Sequence, residues 1–178
     1  MKNVRRIGLA LVALALALAV AGCGSTTTKT VTVVRTVPQQ LGGNADQQFF
    51  GHVKSIAPTR GGYLLRFDPS WLVTGVTANV AAAQDDGRTC KPSACQPVPN
   101  DVYDVDESHR LLTFLLPAGT RGTVLVGGGL NTKSIGAAEL ARVVAGTSSL
   151  KLFEPLDSGV WIRVHSDTVQ TFAQQYRP

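Results

Sequence analysis

The chain has no concentration of charge of one sign, no apolar run of membrane-spanning length, only three cysteines and no internal repeat. Each absence excludes a class. Lysine and arginine number 17 against 12 aspartates and glutamates; Lys2, Arg5 and Arg6 precede the first apolar run, and without them the balance is 14 against 12, or +2. The remaining basic residues are scattered singly, whereas a polyanion-binding domain needs a dense basic face that releases counterions. Nucleic acid is therefore not an expected partner. A self-similar period of about 20 to 50 residues would mark a solenoid or propeller, and none is present. The hydrolase signatures G-x-S-x-G and H-E-x-x-H are missing as well.

What is present is concentrated first at the N-terminus. A basic segment, residues 1–6, leads into an apolar run over residues 7–20, shorter than the about 20 residues that cross a bilayer and of the length of a signal-peptide h-region. The run ends in Val20-Ala21-Gly22-Cys23, which resembles the lipobox of bacterial lipoproteins. The resemblance covers only these first 23 residues. It implies cleavage before Cys23, a diacylglyceryl group on the Cys23 thiol, and further acylation, palmitate included, at the new amino terminus. Two or three long acyl chains, at about 0.8 kcal/mol per buried CH₂, anchor a protein stably where one binds reversibly. Residues 1–22 are then a removable signal. Residues 23–48, rich in Thr, Gln and Gly, are expected to be a tether. An ordinary secretory signal or a short membrane anchor is the alternative. The expected location is the membrane, lipid-anchored and facing the extracytoplasmic side; Gly24 follows the cysteine where an inner-membrane retention cue would place Asp.

With Cys23 assigned to lipid, Cys90 and Cys95 remain as a pair between Pro-rich flanks. In an oxidising compartment this spacing predicts a small disulfide-closed loop. A thioredoxin-type site wants two intervening residues and a structural zinc wants two further ligands, so redox and metal roles are the weaker alternatives.

Residues 49–178 are expected to form one extracytoplasmic domain. Alternation and turn residues predict strands over 50–56 and 63–67 around Arg60-Gly61-Gly62, with Asp68-Pro69 as a break. A short helix over 77–84 follows, then strands over 102–105, 111–116 and 123–126. A second helix over 135–145 precedes a closing hairpin, 160–165 and 168–172. The order predicts an α+β fold, mainly an antiparallel sheet or small open barrel with two short helices. By element order it resembles an OB-fold, a likeness that carries no ligand with it.

Chemistry is sparsely signalled. Residues 127–134 end in Lys133-Ser134 after a Gly run and look superficially like a phosphate-binding loop, but Thr132 stands where the Walker pattern needs Gly. The segment reads instead as a flexible loop whose Thr132 or Ser134 caps the second helix. Asp101, Asp104, Asp106 and Glu107 could supply oxygens to a structural Ca²⁺, although their spacing is not that of an EF-hand; a solvated acidic edge partly paired with Arg110 is the simpler reading, and no other cofactor is expected. His52, His109 and His165 are the only histidines. His109 with Asp104 and Ser108 is the best set available for a His-dependent or metal-assisted hydrolase. Exposed histidines are the simpler reading. Phe49, Phe50, Trp71, Trp161, Phe172 and Tyr176 read as core, with a ligand groove as the alternative. The function these features predict is a noncatalytic binding or accessory module of the cell envelope, bound to the lipid bilayer through Cys23, with a cell-wall polymer or an envelope protein as partner. An envelope hydrolase and a structural envelope protein are the alternatives.

Overall fold

The alternating first hairpin forms, and it is longer than its pattern. The computed structural model describes residues 45–107, 110–128 and 131–177. The expected signal, Cys23, most of the expected tether, Ser108 and His109 lie outside them. Strand β1 spans Gln47–Thr59, starting two residues before the expected domain boundary, and β2 spans Gly62–Thr74. Gly61, at φ 87°, makes the turn between them. Asp68-Pro69 does not break β2, contrary to expectation. Pro69 lies opposite Gly51 in the ladder, and a Cβ on Gly51 would meet the Asp68 carbonyl oxygen at 2.1 Å. The glycine lets the strand pass close by at the residue that cannot donate.

Beyond β2 lie α1 (Gly75–Asp85), β3 (Val102–Val105), β4 (Leu112–Pro117), β5 (Arg121–Val126), β6 (Asn131–Gly136), α2 (Ala137–Val144), β7 (Val160–His165) and β8 (Thr168–Gln174). Five strands close a ring: β1 pairs with β2, β2 with β4, β4 with β8, β8 with β7, and β7 with β1. The barrel is thus closed where an open one was expected. It is also mixed, because β4–β8 and β5–β8 are parallel. β3 extends the sheet from β2, while β5 and β6 extend it from β8. Mostly β with two short helices, the fold agrees broadly with the predicted small α+β barrel.

β6 is the element the sequence pattern conceals. The expected flexible loop is in its second half a strand paired with β5. Its residues 131–134 are all exposed, so no alternation marks them. The helix begins only after Gly136, with no side-chain cap, so neither Thr132 nor Ser134 caps it; Ile135, expected in the helix, lies in β6 and is buried in the core.

Phe67, Phe114 and Leu116 are essentially inaccessible at the barrel centre, with the Phe114 ring 5.5 Å from Phe49 and 6.3 Å from Phe67. Leu140 and Ala137 of α2 join this core. Of the six aromatic residues read as core, Phe49, Phe50 and Phe172 are buried, Trp161 and Tyr176 are half-buried, and Trp71 is exposed. No helix among the described residues is long and apolar enough to cross a membrane.

Candidate functional site

One face of α1 is made of Ala78 and Ala81, whose small side chains let the helix sit close over β2 and β3. The chain then leaves α1 into the loop closed by the Cys90–Cys95 disulfide, with Cα atoms 5.2 Å apart. This pair is as expected. The loop is pinned back to the helix by the Val98 N–H, which donates to Asn79 Oδ1 at 2.8 Å. Asn100 and Asp101 both take left-handed φ values, 56° and 59°, a conformation that Asn and Asp tolerate better than most residues. They turn the chain into β3. Tyr103 Oη donates to Asp85 Oδ2 at 2.9 Å, fastening β3 to α1. Burial, and then that bond to a carboxylate, raise the Tyr103 pKa above its ordinary value. Between helix, loop and strand is a cleft of about 460 Å³, with Arg177 also in its lining.

The C-terminal tail brings Arg177 there. Trp161 Nε1 donates to Gln175 Oε1 at 2.7 Å, and the Gln175 N–H donates to the Gly159 carbonyl at 2.9 Å. The Phe153 and Tyr176 rings lie 6.2 Å apart beside it. Arg177 Nη2 then donates to Asp104 Oδ2. The same carboxylate oxygen lies 3.0 Å from His52 Nε2 on β1. Asp104 Oδ1 accepts the Ser70 hydroxyl of β2, whose oxygen is also 3.1 Å from the Val105 carbonyl. Three elements therefore converge on one carboxylate.

Electrostatics follow from this geometry. Burial pushes the Asp104 pKa upward, but the bonds donated by His52, Ser70 and Arg177 together outweigh it and leave the carboxyl below its ordinary 3.8. The bond to Asp104 raises His52 above 6.5 against the opposing effect of its own burial. Nearby, Lys54 Nζ pairs with Asp68 Oδ2 at 2.9 Å. Asp68 Oδ1 and Arg177 Nε are buried without a hydrogen-bond partner.

Two expectations are corrected. Asp104 is half-buried in this cluster and not on a solvated edge, because β3 lays it against β1, β2 and the tail. His52 is likewise half-buried, its side chain only 14% accessible. Asp101, Asp106 and Glu107 are exposed; among the described residues no group of three His, Cys, Asp or Glu side chains could hold a metal. His165 is exposed and lies 2.9 Å from Asp46. Sequence reasoning named Asp104 and His52 but missed Ser70 and Arg177, whose only signal is spatial.

The arrangement brings a histidine and a carboxylate together, yet it is not a nucleophilic relay. In such a relay the imidazole stands between hydroxyl and carboxylate and takes the hydroxyl proton. Here the carboxylate is in the middle, and Ser70 donates to Asp104. The chemistry available is that of a clasp beside a cleft. No family model, no curated protein and no solved structure matches this chain.

Proposed function

We propose that the protein is a membrane-anchored extracytoplasmic lipoprotein whose barrel serves as a noncatalytic binding or accessory module of the cell envelope. The observation that carries this reading is the cleft walled by the disulfide-closed loop, next to a Ser, His and Asp set ordered for clamping and not for proton transfer. The Val20-Ala21-Gly22-Cys23 motif supports the anchor, and a disulfide suits an oxidising compartment. We read the five-strand ring as OB-like, a Greek-key barrel in which binding is a matter of loops on a rigid frame. A His-dependent hydrolase is the second reading, favoured by the His52–Asp104 pair; it requires His52→Ala to abolish a hydrolytic activity.

Lipidation is tested in the source bacterium. Cys23→Ser is expected to abolish incorporation of radioactive palmitate and to leave the precursor unprocessed. Persistent labelling would overturn the anchor assignment.

A further inference from the structure

We propose that the cleft between α1, the disulfide-closed loop and β3 takes a segment of an uncharged glycan chain; this rests on reading the barrel as a binding module. The cleft is lined by two carboxylates and two guanidinium groups, and they are already matched: Arg88 with Asp86, and Arg177 with Asp104. An anionic ligand would have to take Arg177 from a half-buried carboxylate that also holds His52 and Ser70. A cationic ligand would have to displace an arginine. Among the described residues neither sign is offered an unpaired charge there, and the one buried donor without a partner, Arg177 Nε, belongs to a guanidinium already paired with Asp104.

What the lining does offer is carbon and amide in alternation. Pro97, Pro99 and Val102 supply apolar ledges, while Asn79, Gln96 and Tyr103 supply polar groups among them. A pyranose ring has the complementary pattern, C–H faces edged by hydroxyls, and a side-chain amide can both donate to and accept from a hydroxyl. The cleft volume, about 460 Å³, is within the range of ligand sites.

A peptide added as an extended strand is read through main-chain bonds, which need free N–H groups on the wall. Pro97 and Pro99 have none, and the Val98 N–H is already given to Asn79. The wall suits a ligand read by side chains. Neutral ligands gain affinity from many weak contacts, so a wall that must be ordered on binding loses much of it. This loop is ordered beforehand by the Cys90–Cys95 bond, by its prolines and by Asn79.

The test is NMR titration of the processed, detergent-solubilised chain with chitotetraose, cellotetraose and maltotetraose. Oligogalacturonate and an uncharged peptide serve as comparisons. At least one neutral tetrasaccharide is expected to shift the side-chain NH₂ signals of Asn79 and Gln96 and the backbone of 98–103. Its affinity should not change up to about 1 M salt, where charge is screened beyond about 3 Å. Gln96→Ala, at an exposed position that folding does not need, should weaken it by about three- to tenfold, and Arg88→Gln should not. Binding of oligogalacturonate alone, or of the peptide alone, would overturn the glycan assignment and leave the binding-module reading standing. Shifts confined to residues outside the cleft would overturn the site. Silence from every probe would overturn the proposal, and the module reading falls with it only if Cys23 also proves unlipidated.

Discussion

Asp104 collects donors from β1, β2 and the C-terminal tail, so its ionisation and that of His52 are linked to holding these elements together. The signs of the two linkages differ. His52 is raised above 6.5, so its contribution is complete below that value and fades as pH climbs through the raised one. Asp104 is lowered below 3.8, so its contribution is complete above that value and fades as pH drops through the lowered one. Both are in force between pH 3.8 and pH 6.5. Urea unfolding of His52→Gln beside the unaltered protein is expected to show the largest stability gap in that window, shrinking at alkaline pH. A gap that ignores pH would mean that His52 acts by packing alone. Asp104→Asn exchanges an acceptor oxygen for an NH₂ group facing donors, and at pH 6 it should cost about 2 kcal/mol in the same assay.

The loop from Cys90 to Cys95 is a local staple. A ring this short removes little unfolded-state entropy, and the chain-entropy account gives about 2 kcal/mol. The Cys90→Ser, Cys95→Ser double variant should lose about that much by chemical denaturation. Amide exchange should quicken at Gln96, Val98 and Asn100 and stay slow in the ring strands, since local opening tracks the contacts removed. Uniform acceleration across the barrel would show the staple to be global. The disulfide was legible because two cysteines remained, close in sequence between prolines. The first and last hairpins were legible too, from period-two burial and from the turns at Gly61 and Ser166-Asp167. β6 was not, because an edge strand exposed on both faces has no period. Nor was the passage of β2 through Pro69, which depends on Gly51 across the ladder. The candidate site was half legible. Asp104 stood out in a run of carboxylates, but Ser70 and Arg177 are 34 and 73 residues away in sequence; the β2–β3 pairing brings in the first and the tail beyond β8 the second.

Neighbouring residues on β4 separate what holds the whole molecule from what merely covers it. Phe114 is 1% exposed between Phe49 and Phe67, while Leu115 is 39% exposed. Phe114→Ala should destabilise by about 3 to 5 kcal/mol, and Leu115→Ala by less than about 0.5 kcal/mol. Thermal unfolding of the two variants checks this, and equal losses would contradict the placement of the core inside the ring. The seam between β4 and β8 has a further consequence. They meet in parallel at Leu115 and Thr168, and β1 finds its second neighbour in β7, so strands near the start and middle of the domain wait for partners near its end. A chain emerging N-terminus first, from a ribosome or a translocation pore, can assemble β1, β2 and β4 as a curled sheet but cannot close them. Such long-range pairing is slow, and the open intermediate exposes apolar surface. Changes in residues 160–174 should therefore be felt first in how fast newly delivered chains mature and how many are lost to aggregation on the way.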